Sequence, residues 1–169
     1  MSKLAHPDLH HFSAAIGWLE LGNSAEAKIE LRKINPSQQA EPDVLEIEWA
    51  IHAADRHWTE ALQSARKLIE ADPNRPTGWL HQAYALRRVA EGGLAAAFDA
   101  LMPAAEKFPA EPTIPYNLAC YTCQMQQLEE ARNWLRRAWQ CHSGKKEDLK
   151  KMALADDDLR ALWKEIPSL

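Results

Sequence analysis

The amino-acid sequence predicts an all-α fold: a solenoid of about four helix-turn-helix units followed by C-terminal capping helices. Three observations lead to this prediction. A Glu/Ala-rich phrase recurs along the chain at spacings of 34, 36 and 34 residues. Each phrase carries apolar residues at helical spacing and follows another segment with the same periodicity. No run of residues alternates between apolar and polar as a half-buried strand would.

The recurring phrase predicts the second helix of each unit. It reads SAEAKIELRKI at 24–34, WTEALQSARKL at 58–68, LAAAFDALMPA at 94–104 and LEEARNWLRRA at 128–138. A pivotal alanine stands at the same place in each phrase: Ala27, Ala61, Ala97 and Ala131. The positions three before, four after and seven after this alanine lie with it on one helix face. Each phrase is therefore an amphipathic helix with a small residue at its closest contact.

The first helix of each unit is predicted from the segment that precedes each phrase. These segments are 8–21, 43–55, 77–90 and 113–126. A proline stands where each would begin, and proline is tolerated in a first helical turn: Pro7, Pro42, Pro76 and Pro112. Gly22, and either Gly92 or Gly93, fall between the two helices of units one and three, as expected of C-terminal caps.

The tail at 145–166 predicts one or two short helices. Asp156 or Asp157 would cap the last of them, and its apolar face would carry Leu159, Leu162, Trp163 and Ile166. Since a solenoid exposes an apolar face at its end, we expect this tail to cover that face.

The period and its recurring positions resemble the tetratricopeptide repeat (TPR), a 34-residue helix-turn-helix unit. The resemblance covers about residues 8–142, and unit four carries the pattern most fully, in Leu118, Ala119, Leu128 and Ala131. It implies a right-handed α-α superhelix that forms a single domain. The implied units are about 8–41, 42–75, 76–111 and 112–144, with capping helices at 145–169.

Composition narrows the function classes. The net charge is -4, so bulk electrostatics do not predict a nucleic-acid partner. No apolar run reaches the length of a membrane span, and the start, MSKLAHPDLHHF, lacks the apolar core of a secretory signal. Three cysteines predict no disulfide framework and hence a reducing, cytoplasmic location. The basic region 132–151 is interpreted as a solvated helix face, with an anion-binding patch as the alternative.

The pair Cys120 and Cys123 raises the question of metal or redox chemistry. A redox C-x-x-C needs a helix N-terminus to stabilise its thiolate, whereas these cysteines fall inside a first helix. Zinc needs four ligands, and only Cys141 and His142 are near in sequence. We therefore interpret the pair as small residues on a packed or groove-facing helix, with no metal and no cofactor.

Other candidates for chemistry are equally weak. His6 and His10 are four residues apart, but His6 precedes Pro7 and falls outside the predicted helix. The run Asp156-Asp157-Asp158 is explained by capping. The sequence contains no phosphate-binding glycine loop and no H-E-x-x-H motif, so we predict a protein that is not an enzyme.

The TPR resemblance also implies where a partner would bind. First helices line the concave side of such a stack, and the family's contact positions fall here on Phe12, Ser13, Ile16, Glu20, Glu46, His81, Tyr84, Arg87, Arg88, Tyr116, Asn117, Cys120 and Gln124. Tyr and Arg are frequent interface anchors. The resemblance therefore implies an adaptor that holds an extended protein segment, acidic where it meets Arg87 and Arg88.

Three alternatives stay open at the level of sequence. Apolar residues of unit one, such as Phe12 and Ile16, could pair two chains into a homodimer. A small TPR-type chaperone has a similar size. A metal-dependent enzyme is the weakest alternative. The identity of the partner is not encoded in any motif, because groove chemistry differs from unit to unit.

Overall fold

The computed structural model describes residues 4–141 and 146–169, and all secondary-structure elements in these ranges are helical. The all-α prediction is therefore confirmed for the described residues. The α-helices are α1 (Asp8–Glu20), α2 (Ser24–Leu31), α3 (Pro42–Ala54), α4 (Trp58–Ala71), α5 (Pro76–Leu86), α6 (Leu94–Lys107), α7 (Thr113–Gln124), α8 (Leu128–Cys141) and α9 (Lys146–Ala155). Short 3-10 helices span Pro36–Gln38, Asp157–Leu162 and Ile166–Ser168. His142 and Lys145, which figured in the predictions, lie outside the described residues.

The chain divides into two compact bodies. The N-terminal body, Met1–Val89, contains α1 to α5, in which α1 packs on α2, α3 on α4 and α4 on α5. The C-terminal body, Ala90–Leu169, contains α6 to α9 and the two 3-10 helices of the tail, with α7 packed on both α6 and α8. The division falls inside the predicted third unit, and the single-domain organisation stays a prediction.

The pivotal alanines of the repeat are fully buried. Ala27, Ala61, Ala97 and Ala131 each have no exposed surface. A large apolar residue one turn later is also buried in three of the four helices: Leu31, Leu101 and Leu135. The small side chain lets a neighbouring helix come close, and each buried leucine contributes roughly 2 kcal/mol. This pattern supports the packing role that the recurring phrase predicts.

Three of the turns between paired helices have the same backbone conformation. Gly22, Arg56 and Gln126 adopt positive φ angles of 73°, 58° and 64°. In each turn the next amide donates a hydrogen bond to a carbonyl five residues earlier, at 2.8 to 2.9 Å. This is the Schellman cap, which satisfies carbonyls left over at a helix end. Glycine occupies the position in one turn only, so the other two turns hold side chains in a conformation that favours glycine.

Two helices end earlier than the periodicity predicts. α2 stops at Leu31 rather than near Ile34, and the helix does not resume because Pro36 keeps the preceding Asn35 out of helical backbone. Ile34 is nevertheless buried, from within the following turn. α5 stops at Leu86 rather than near residue 90, so Arg87 and Arg88 lie just beyond the helix.

The tail forms the predicted cap, but partly from 3-10 helix. The side chain of Asp156 accepts a hydrogen bond from the Asp158 amide and so caps the segment Asp157–Leu162. Leu159, Leu162 and Ile166 are fully buried. None of the α-helices described here is both long and apolar enough to cross a membrane.

Candidate protein-interaction surface

Four rings and one guanidinium come together in the N-terminal body. We call the set Trp49, Trp58, His81, Tyr84 and Arg88 the aromatic–arginine surface. His81 and Tyr84 are three residues apart and share a face of α5. The His81 ring stacks on Trp49 of α3 with centroids 3.7 Å apart and planes 2° from parallel. Tyr84 lies 5.9 Å from the Trp49 ring and 5.8 Å from the Trp58 ring, so three helices contribute to one surface.

Arg88 is held over two of these rings. Its guanidinium carbon lies 3.5 Å from the centroid of Tyr84 and 5.1 Å from that of Trp58. Its Nη1 donates a hydrogen bond of 2.8 Å to the Tyr84 carbonyl. Contacts of this kind contribute about 0.5–1 kcal/mol at exposed sites. They fix a positive charge in one position, and Tyr84 beside it is 39% exposed.

An open pocket adjoins this charge. Its volume is about 490 Å³, and its lining includes Arg56, Trp58, Tyr84 and Arg88. The lining holds two arginines and no carboxylate among the residues that the structure describes. A pocket that combines two rings with two guanidinium groups suits an anionic group attached to an apolar or aromatic body.

The stacked pair of Trp49 and His81 next to Tyr84 is half-buried, and its histidine is uncharged. Burial lowers the pKa of His81 from 6.5 to about 4, so the ring is neutral near pH 7. Nε1 of Trp49 and Nδ1 of His81 are buried atoms, and neither has a hydrogen-bond partner among the described residues. An unsatisfied polar atom costs about 1–3 kcal/mol. Ring packing, rather than hydrogen bonding, therefore holds this pair in place.

Glu46, the predicted contact residue on α3, already forms an ion pair within the protein. Glu46 on α3 accepts a hydrogen bond of 2.8 Å from Nη1 of Arg75, which lies 2.8 Å from Asp43 as well. Both carboxylates together raise the pKa of the Arg75 guanidinium, although burial opposes them as the largest single effect. The negative charge of Glu46 is thus largely neutralised within the protein.

The predicted contact residues on α1 do not belong to the aromatic–arginine surface. Phe12 packs against the core of the N-terminal body and Ile16 is half-buried. The hydroxyl of Ser13 donates to the Leu9 carbonyl at 2.9 Å, and Glu20 is exposed. Phe12 is therefore a packing residue in the first place.

The predicted contact residues on α7 meet the chain's own tail. The Tyr116 hydroxyl donates to Asp156 at 2.9 Å, and the Cys120 thiol approaches the same oxygen at 3.6 Å. The Gln124 side chain donates to the Asp158 carbonyl at 3.0 Å. Tyr116 and Cys120 are only 5% and 3% exposed. A partner would reach them only if the tail moved away.

The remaining predicted contacts are half-buried. The side chain of Asn117 donates to the Thr113 carbonyl at 2.8 Å, one turn earlier on α7. Arg87 forms the C-terminal cap of α5. Of the predicted set, the structure brings His81, Tyr84 and Arg88 into one cluster, and Tyr116, Cys120 and Gln124 into another.

The C-x-x-C thiols are buried. Cys120 is 3% exposed and Cys123 is 2% exposed, and neither they nor Cys141 form a disulfide. Burial raises the pKa of the Cys123 thiol, which is opposite to the lowered pKa that a redox thiolate needs. Burial likewise raises the pKa of the Cys141 thiol. These positions support the interpretation of small residues on a packed helix.

One group of metal-ligand types occurs among the described residues. Cys120, Asp156 and Asp158 each place a candidate ligand atom within 4.8 Å of the others. The Asp156 carboxylate already accepts hydrogen bonds from Tyr116, Cys120 and the Asp158 amide. A buried polar network that docks the tail accounts for this arrangement.

Two members of the aromatic–arginine surface, Trp49 and Trp58, are absent from the predicted contact residues. By the TPR resemblance Trp58 falls on a core position. Trp49 falls where the family has a small residue, so the sequence leaves open whether it fills a wider space or faces a ligand. Both do pack against the core, and both also adjoin Tyr84. The departure at Trp49 was the available signal, because a large ring at a small-residue position needs an unusual neighbour.

Comparison with known proteins supports the fold. No family model matches the chain, and no curated protein matches it. A solved structure described as "MamA RS-1 ArsTM double mutant" is similar, with a TM-score of 0.69 and 17% sequence identity. The match covers 97% of this chain and 92% of that chain. Since MamA is of the TPR type, this likeness supports a helical-repeat fold of that kind.

Proposed function

We propose that this chain is a non-catalytic interaction module that binds an extended, acidic segment of a partner protein. The observation that carries the proposal is the aromatic–arginine surface, where Arg88 is fixed over Tyr84 and Trp58 beside an open pocket. Aromatic residues and arginine dominate the binding energy of many protein interfaces. The partner we infer is acidic, since Arg56 and Arg88 line the pocket.

The contacts within the surface favour it as an anchor. Arg88 loses little side-chain freedom on binding, because its contacts with Tyr84 and Trp58 already hold it. The stacked Trp49 and His81 form a firm base beneath Tyr84. A partner carboxylate next to Arg88, with an apolar side chain against Tyr84, would use both features.

The test is selection of binding peptides from a random library displayed on phage. Peptides that bind the wild-type chain should be enriched in Asp or Glu next to an apolar residue. Binding of the selected peptides should fall at least about tenfold in Tyr84→Ala and in Arg88→Gln, the range of interface anchors. Circular dichroism would verify that both variants remain helical.

Matched controls lie outside the surface. Met102 on α6 is 44% exposed, so Met102→Ala removes a comparable exposed side chain. Arg66 on α4 is exposed, so Arg66→Gln makes the same charge change as Arg88→Gln. Peptides that bind all four variants equally would refute the proposed surface. Peptides without acidic residues would refute the proposed partner class.

The proposed location is a reducing compartment. Cys120, Cys123 and Cys141 form no disulfide, as is usual in the cytoplasm. Self-association is tested in the same preparation by sedimentation. A monomer at high concentration would remove the homodimer alternative.

A further inference from the structure

A second pocket lies between α2 and α3, away from the aromatic–arginine surface. Its volume is about 370 Å³, within the range of small-molecule sites. The apolar part of its lining is Leu31, Val44 and Ile51, and the cationic part is Lys28 and Arg32. Gln39, Glu48 and His52 complete this lining. The pocket therefore combines an apolar floor with a charged rim.

The early end of α2 creates the space. α2 has 8 residues, whereas α4, the second helix of the next unit, has 14. After Leu31 the chain turns away and forms the 3-10 helix Pro36–Gln38. The side chain of Gln39 donates to the Ile34 carbonyl at 3.1 Å and fixes this turn at the pocket's edge. A longer α2 would extend along α3 instead.

The rim carries an excess of positive charge. Lys28 and Arg32 are four residues apart, and neither forms an ion pair or side-chain hydrogen bond with a described residue. Glu48 is the one carboxylate in the described lining, and it accepts a hydrogen bond of 2.9 Å from Ser64. Two cations against one carboxylate leave a net positive pocket, since burial lowers the pKa of His52 and keeps its ring neutral.

His52 also presents an unsatisfied polar atom. Its Nδ1 is buried and has no hydrogen-bond partner in the part of the chain that the structure describes. Buried polar atoms are nearly always satisfied. His52 thus adds a buried, unsatisfied imidazole to the wall of a pocket whose rim is cationic.

We propose that this pocket binds a small organic carboxylate with an apolar body. The carboxylate would lie between Lys28 and Arg32 on the side of the pocket that His52 lines, and the apolar body would lie against Leu31. The pocket shares no residue with the aromatic–arginine surface, so this site and the peptide-binding surface can be tested separately.

The test is titration of the full chain with hexanoate, followed by nuclear magnetic resonance and calorimetry. Hexanoate should bind saturably. Hexanol, which lacks the charge, and acetate, which lacks the apolar body, should each bind at least about fivefold more weakly. Arg32→Gln should weaken hexanoate binding by about fivefold or more, while the matched change Arg66→Gln on α4 should leave it unchanged.

A site-specific readout comes from the histidine. A bound carboxylate favours the charged imidazole, so hexanoate should raise the pKa of His52. Hexanol binding as tightly as hexanoate would overturn the carboxylate class. The pocket itself would be refuted if hexanoate failed to saturate, if Arg32→Gln bound it normally, or if the pKa of His52 did not move.

Discussion

At the scale of single residues, His81 has the most strongly shifted pKa among the described histidines. Burial against Trp49 lowers its pKa from 6.5 to about 4. The unfolded chain therefore takes up a proton at a higher pH than the folded chain. The stability that neutral His81 provides is complete above pH 6.5 and is lost as the pH falls toward 4.

We predict an acid-dependent loss of stability that belongs to this histidine. Between pH 7.5 and pH 5.0 the free energy of unfolding should fall by about 2 kcal/mol on account of His81. The variant His81→Phe keeps a stacked ring but has no group that titrates at this position. Its free energy of unfolding should therefore fall by about 2 kcal/mol less than that of the wild type over the same pH range. Urea unfolding at the two pH values measures both. An equal loss in both chains would show that His81 is not buried as neutral imidazole.

A second residue-scale prediction concerns the turn between α7 and α8. Gln126 has a φ of 64°, a conformation that L-residues adopt at a cost and glycine adopts freely. Gln126→Gly should raise the free energy of unfolding by about 0.5–1 kcal/mol. Gln63 provides the control, because it is exposed in the interior of α4, where Gln63→Gly should lower stability by about 0.5–1 kcal/mol. Thermal unfolding of the two variants should thus shift in opposite directions.

At the scale of elements, the 3-10 helix Asp157–Leu162 decides what α7 can do. It buries Leu159 and Leu162, and it holds Tyr116 and Cys120 through Asp156. A cap of this kind stabilises the end of the stack. It also covers a face of α7 that the repeat pattern assigns to partners. In the described structure this face of α7 packs against the chain's own tail rather than facing a partner.

The run of three aspartates gives a matched pair for testing this element. Asp156 caps the 3-10 helix and accepts the Tyr116 hydroxyl, whereas Asp157 is exposed. Asp156→Ala should cost about 1–3 kcal/mol, and Asp157→Ala less than about 0.5 kcal/mol. The same change should speed the reaction of Cys120 and Cys123 with a thiol reagent. Equal stability and thiol reactivity in the two variants would contradict the docking role of Asp156.

At the scale of the whole molecule, the division at Val89 and Ala90 bears on cooperativity. Repeat stacks are stabilised mainly by neighbouring contacts, so their parts can open separately. Leu135 is fully buried on α8 in the C-terminal body. Its truncation to alanine should cost about 2–5 kcal/mol there.

We predict that this loss is confined to one body. In Leu135→Ala, hydrogen exchange should accelerate for amides of residues 90–169 and stay unchanged for those of residues 4–89. Mass spectrometry of peptic fragments measures both regions in one experiment. Equal acceleration in both regions would instead favour the single cooperative domain that the repeat pattern implies.

The sequence by itself determined the helices and their order. Pivotal alanines, prolines at helix starts and the Gly22 turn are local features, and their physics acts within one or two turns of the chain. Even the departures had a local cause, as in the effect of Pro36 on α2. Capping is local as well, so the sequence could narrow the cap of the tail to Asp156 or Asp157, and the structure has Asp156.

Only the tertiary structure decided which predicted contact residues are open. Tyr84 and Tyr116 are both predicted contact residues on first helices, yet Tyr84 is 39% exposed and Tyr116 is 5% exposed. The difference comes from Asp156, forty residues beyond Tyr116, and no periodicity spans that separation. The stacking of Trp49 on His81, and the pocket beside the shortened α2, likewise join distant segments. Helical periodicity records which side of a helix is apolar, whereas the identity of the group that covers it depends on packing between elements.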